Sequence, residues 1–96
     1  MSVTAPSGAL IRTVTIVNTR GLHARAAAKF VRLAAQYDAA VTVANADNEV
    51  SALSIMGLMM LAAGHGSRIR VSVQGADGAQ LVQQLVELFD RKFDES

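Results

Sequence analysis

A chain of 96 residues that is 51% hydrophobic holds enough apolar material for one core and is expected to fold as one unit. Its formal net charge of +1 excludes the strongly basic balance of an ordinary nucleic-acid binder and, equally, a solvating acidic tail. The absence of cysteine excludes disulfides, thiolate metal ligands and a cysteine nucleophile.

The start, "MSVTAPSGA", has neither a positive n-region nor an apolar h-region, and no later run approaches the ~18 apolar residues that span a bilayer. A cytoplasmic protein without membrane insertion is therefore expected. Residues 1–9 read as a flexible polar extension and 10–96 as the domain. The charges are segregated: Arg12, Arg20, Arg25, Lys29 and Arg32 all precede Asp38, the first acid in the chain. One end of the molecule should be positive.

In chain order, "LIRTVTIV" (10–17) alternates around Val14 and Ile16, with Arg12 and the threonines interleaved, and predicts a strand with one buried face. Asn18 to Gly21 breaks it. From Ala24 to about Gln36, Ala27, Phe30, Val31 and Ala34 recur at helical spacing while Arg25, Lys29, Arg32 and Gln36 take other faces, the pattern of an amphipathic helix. "AVTVAN" and "NEVSA" predict two short strands about a polar turn containing Asp47 and Asn48.

Ser54 is placed to cap a second, short helix over "SIMGLMMLAAG", with Gly64 as its stop. "SRIRVSVQG" alternates Ile69, Val71 and Val73 against Arg68, Arg70 and Ser72, a strand with a clear inner face. Asp77 with Gln80 then has the form of a capping box, and Leu81, Val82, Leu85, Leu88 and Phe89 make one stripe of a helix running to about Phe93. The order β-α-β-β-α-β-α implies an α+β fold of two layers, an antiparallel sheet covered on one side by helices.

His23, inside "NTRGLHARAAAKF" (18–30), stands at the start of the first helix. A neutral imidazole keeps a nitrogen lone pair and can act as a nucleophile without a separate base. At a helix N-terminus a negative group added to the ring is favoured by the dipole, and the backbone N–H groups of Ala24, Arg25 and Ala26 are the donors that would receive it. Arg25 can offer a planar guanidinium to phosphate oxygens, and Gly21 can supply the backbone angles that bring the loop round. No carboxylate, serine partner or metal-ligand set lies near His23 in sequence, so reversible phosphorylation suits the pattern better than hydrolysis.

"NTRGLHARAAAKF" resembles the active-site motif of the HPr family, the histidine-containing phosphocarriers of the bacterial phosphoenolpyruvate-dependent sugar phosphotransferase system, and "SALSIMGLMMLAAGHGS" (51–67) resembles that family's second signature. The resemblance covers about residues 10–93. It implies an open-faced two-layer β-sandwich, a four-stranded antiparallel sheet with three helices on one face. It implies a stoichiometric carrier rather than an enzyme, without cofactor or metal, in which His23 accepts a phosphoryl group on Nδ1 from enzyme I, Arg25 stabilises it, and an enzyme IIA domain receives it. Ser54 matches the serine phosphorylated by a dedicated kinase, the HPr serine kinase/phosphorylase. Ile55, Met56 and Met59 match an exposed apolar docking patch, with Leu58 and Leu61 assigned to the core, and Arg20, Arg25 and Lys29 would form a cationic rim for acidic partners. A monomer is expected.

The chain departs from the family pattern in three places. Ala26 stands where the family usually has proline, Leu53 stands where a lysine commonly precedes the regulatory serine, and the N-terminal extension is a few residues longer. Two other readings are set against the sugar carrier. One is a regulatory branch serving nitrogen or carbon signalling. The other is a sheet-platform nucleic-acid binder suggested by Arg12, Arg68 and Arg70, disfavoured because no aromatic falls in a predicted strand. His65, between glycines, reads as a solvated loop residue.

Overall fold

Residues 9–61 and 64–94 are described by the computed structural model. Among them, seven strands and α-helices follow in the order β1 (Leu10–Thr15), α1 (Ala24–Ala34), β2 (Ala40–Ala44), β3 (Glu49–Ser51), α2 (Ile55–Met60), β4 (Arg68–Gln74) and α3 (Gly78–Asp90), with a short turn over Lys92–Asp94 after them. β4 is the organising strand because its alternation is cleanest: Ile69, Val71 and Val73 are buried while Arg68, Arg70 and Gln74 face solvent. It pairs antiparallel with β1 on one side, Val14 opposite Ile69, and with β2 on the other, Val43 opposite Val71. The β2–β3 hairpin completes a four-stranded sheet of order β1-β4-β2-β3, with Val43 opposite Val50.

The hairpin turns on a side chain. Asn45 Oδ1 accepts from the backbone N–H of Asp47 at 2.9 Å and of Asn48 at 2.8 Å, reinforcing the backbone bond from the Asn45 N–H to Asn48 O at 2.9 Å. All three helices lie on one face of the sheet, and their stripes merge with the inner strand residues into one core around Phe30, Leu58, Leu81 and Leu85. Phe30 is fully buried and meets Phe89 edge to face at 5.8 Å. A phenylalanine so placed is worth about 3–5 kcal/mol against alanine.

Four local expectations are corrected. Arg12 shares the inner face of β1 with Val14, two residues on, and lines a crevice with Val82, Val86 and Phe89. Its guanidinium turns back to the Ile11 carbonyl at 3.1 Å, so the charged head stays at the exposed strand edge while the side chain flanks apolar neighbours. Asp77 occupies the N-cap of α3 but makes no side-chain cap bond. Its φ of −98° and ψ of 18° are not the extended geometry of a capping residue, and Oδ2 instead accepts from the Asp38 N–H at 2.7 Å. α2 ends at Met60 rather than Gly64, its C-cap being Leu61; Ala62 and Ala63 lie outside the described residues.

The fourth correction concerns the end of α3. The helix stops at Asp90, and Lys92, Phe93 and Asp94 take φ values of 57°, 55° and 59°. Each left-handed L-residue costs roughly 1–2 kcal/mol, so this turn needs outside support. Phe93 is nonetheless buried, stacked edge to face on Phe89 at 5.0 Å. It reaches the core from a reversed turn and not as the next residue of the helical stripe.

The sheet has two unlike ends. At the Leu10, Ala40 and Gln74 end, Gly75 has φ +148°, and a Cβ there would stand 2.6 Å from Ala39 Cα and 2.7 Å from the Asp38 carbonyl oxygen. Asp77 closes the same junction with a second bond, its N–H to Asp38 O at 3.1 Å. At the Thr15, Ala44 and Arg68 end, the chain leaves β1 and turns into α1, and that turn carries His23.

Candidate functional site

The loop before α1 is set by Asn18 and Gly21. The Asn18 amide Nδ2 donates to the Gly21 carbonyl at 2.8 Å and the Gly21 N–H returns to Asn18 O at 3.3 Å, closing a turn that needs φ +65° at Gly21. Glycine takes that angle without a Cβ penalty. Leu22 is then buried, and His23 emerges half-buried as the N-cap of α1, with extended backbone (φ −74°, ψ 177°).

The imidazole makes no cap hydrogen bond; it is the His23 carbonyl that accepts the Ala27 N–H, at 2.9 Å. Helical geometry leaves the N–H groups of Ala24, Arg25 and Ala26 without acceptors inside the helix. The first turn of α1 contains no acid. An anion at the ring would thus meet main-chain donors and the positive end of the dipole with no competing carboxylate on that turn.

His23 opens into a cavity of about 390 Å³ whose walls include Arg20, Arg25, Ala26 and Lys29, together with Thr19, Phe93 and Asp94. The structure therefore brings together the histidine and all three basic residues singled out in the sequence. Lys29 is not a free rim charge: its Nζ donates to the Phe93 carbonyl at 3.0 Å and to Asp94 Oδ2 at 3.2 Å. Asp94 Oδ1 also accepts from Arg91 Nε at 3.0 Å. Hydrogen bonding first from Arg91 and then from Lys29 holds the Asp94 carboxyl below the ordinary aspartate range. Sequence reasoning missed Thr19, Phe93 and Asp94; only the Arg91–Asp94 spacing hinted at a local ion pair, and the bond from Lys29 spans 65 positions.

Ser54 lies elsewhere on the fold, at the N-cap of α2, and its hydroxyl Oγ accepts the Gly57 N–H at 2.8 Å. The expected capping role is present. Ile55, Met56 and Met59 are exposed, whereas Leu58 and Leu61 are buried, as the sequence suggested. Leu53, Met60 and Val17 are further exposed apolar side chains that the reading did not assign. α1 packs against α2, so the two helices that begin at His23 and Ser54 are neighbours. His65 is exposed in the turn before β4. Among the described residues no strand carries an aromatic side chain, so these strands offer none of the base-stacking rings of a sheet-based nucleic-acid binder. Among the described residues no helix is long and apolar enough to cross a membrane.

Comparison with known proteins agrees with this fold. Residues 10–91 match the family described as the PTS HPr component phosphorylation site. The chain is 44% identical over 82 residues to the phosphocarrier protein HPr of Xylella fastidiosa, covering 85% of this chain and 92% of that protein. It is 42% identical over 87 residues to the phosphocarrier protein NPr of Shewanella violacea, covering 91% and 96%. The crystal structure of HPr from Thermoanaerobacter tengcongensis superposes with a TM-score of 0.86 at 37% identity, over 91% of this chain and 98% of that one. With an open-faced sheet, a family model matching residues 10–91 and relatives matched over nearly their full length, this chain belongs to the HPr family of phosphotransferase-system phosphocarriers.

Proposed function

We propose that the chain is a stoichiometric relay in which His23 Nδ1 takes a phosphoryl group from phospho-enzyme I and passes it to an enzyme IIA domain. In loading, the N–P bond of the donor phosphohistidine breaks as the bond from phosphorus to Nδ1 forms, and unloading reverses this on the acceptor. Arg25 shares the developing charge with the first-turn N–H groups of Ala24, Arg25 and Ala26. Ile55, Met56 and Met59 supply a docking surface that repacks against unlike partners, and Arg20 steers acidic ones.

The observation that carries this reading is a half-buried imidazole at an acid-free helix N-terminus, with no cap bond, opening into a cavity that holds Arg25. Incubation with enzyme I, labelled phosphoenolpyruvate and Mg²⁺ is expected to place acid-labile label on His23. His23→Ala should take none, and label persisting in that variant would contradict the assignment.

A second reading, a carrier of a regulatory nitrogen or carbon branch, is favoured by the similarity to a protein named NPr, which matches at nearly the same identity as those named HPr. The acceptor separates the two: phosphoryl transfer to a sugar-branch IIA domain and not to a regulatory one supports the first reading, and the reverse supports the second. Ser54 is proposed as a regulatory site for an ATP-dependent HPr serine kinase/phosphorylase. Its Oγ would attack the γ-phosphorus and release ADP, and the phosphate would add nearly two negative charges beside the exposed patch. Acid-stable phosphate on Ser54 after incubation with kinase and ATP, with loss of labelling by enzyme I, is the expected result.

A further inference from the structure

One wall of the His23 cavity is made by the turn that follows α3. Phe93 and Asp94, in the left-handed turn after α3, line it together with His23, Arg25 and Lys29. A run of left-handed residues persists only where its surroundings hold it, and here an α1 side chain does so. Lys29 donates one bond to the Phe93 carbonyl and one to Asp94 Oδ2. An ammonium has three donors, so Lys29 is engaged by the turn yet retains one N–H for a further acceptor.

A phosphoryl group on His23 would bring close to two negative charges into this cavity and compete directly with the single charge of Asp94 for that ammonium. We propose that Lys29 is a second cationic ligand of the His23-bound phosphoryl group and that Asp94 is a positioning residue that holds it in reserve. In the unloaded protein Lys29 pairs with Asp94; in the loaded protein it swings its donors to the phosphoryl oxygens, and Asp94 retains Arg91, its other partner at 3.0 Å. No bond is made or broken at Lys29 or Asp94 in the exchange, and no proton leaves either. A carrier must surrender what it accepts. A cation that has an alternative anion within reach keeps the loaded and empty states closer in free energy than one with nowhere else to go.

This rests on the phosphocarrier reading, and the test keeps the two apart. The equilibrium ratio of phosphorylated to free protein is measured with enzyme I at a fixed ratio of labelled phosphoenolpyruvate to pyruvate, for the wild type, Asp94→Asn, Lys29→Gln, the double variant and Lys29→Arg. Asp94→Asn should raise the ratio about two- to fivefold, the scale of a partly exposed ion pair, and Lys29→Gln should lower it by a similar factor. In the Lys29→Gln background Asp94→Asn should have no effect, and Lys29→Arg should restore the wild-type ratio. If the pair merely pins the terminal turn, both single variants lower the unfolding temperature and leave the ratio unmoved. That result, single-variant shifts of the same sign, or an Asp94→Asn effect undiminished without Lys29 would overturn the proposal while sparing the carrier reading. A wild-type protein that takes no label overturns both.

Discussion

His23 and Ser54 occupy the same structural position, the N-cap of a helix, and use it in opposite ways. The Ser54 hydroxyl is spent on its own helix, accepting the Gly57 N–H at 2.8 Å, in a six-residue helix whose neighbouring side chains are isoleucine and methionine. The His23 ring makes no such bond, and it stands before an eleven-residue helix within a cavity lined by arginine and lysine. A helix N-terminus is thus not in itself a reactive site. What distinguishes the two is whether the capping side chain satisfies the orphan donors or leaves them for an incoming anion, and whether cations or hydrocarbon surround them.

The largest expected departure is at the His23 cap, where His23→Ala should remove the proposed acceptor and with it all labelling. Arg25→Ala should slow phosphoryl transfer from enzyme I by roughly 10- to 100-fold, as expected for losing a charge-assisted hydrogen bond, while leaving the unfolding transition in place. Stopped-flow or quench kinetics measure it, and an unchanged rate would remove Arg25 from the pocket's chemistry. At the other cap the effect should fall on stability instead. Ser54→Ala is expected to cost about 1 kcal/mol and lower the melting temperature by about 4–8 °C, with His23 labelling intact.

Two smaller effects sharpen the contrast. Ala26→Pro in the first turn of α1 is expected to stabilise by about 0.4–1 kcal/mol through the unfolded chain. It also deletes the Ala26 N–H, so retained labelling would show that the donors of Ala24 and Arg25 suffice. Calorimetry and the same labelling assay read both. The smallest is the acid response of the terminal turn. Because Arg91 and Lys29 hold the Asp94 carboxyl below its unfolded range, its contribution is complete at neutral pH and above the ordinary aspartate range, and fades as pH falls through the depressed value. Asp94→Asn should therefore flatten the acid limb of the stability curve and leave the neutral and alkaline limbs unchanged in shape.

Much of this was legible in the chain. Alternation in "RIRVSVQ" and the stripe from Leu81 to Phe89 placed β4 and α3, and the pairing of the His23 and Ser54 motifs placed two helix starts and the resemblance to a phosphocarrier. What was not legible is long-range or conformationally unusual. Asp77 has the spacing of a capping residue, but local spacing carries no information about Asp38 waiting 39 positions earlier. Phe93 continues an apolar stripe on paper, yet three successive left-handed residues without a glycine defeat any propensity argument. Arg12 was placed by its charge rather than its parity, and a long side chain at an edge strand can satisfy both.

The junction at Gly75 lies at the end of the sheet remote from His23, where any Cβ would press on the backbone of Ala39. Injury there and injury at the His23 turn should look different in a cell. A side chain at Gly75 would thin the population of intact carriers while each survivor still trades phosphoryl groups at the normal pace. A lesion beside His23 would leave the population full and every member slow, so abundance and turnover report on opposite ends of one small molecule.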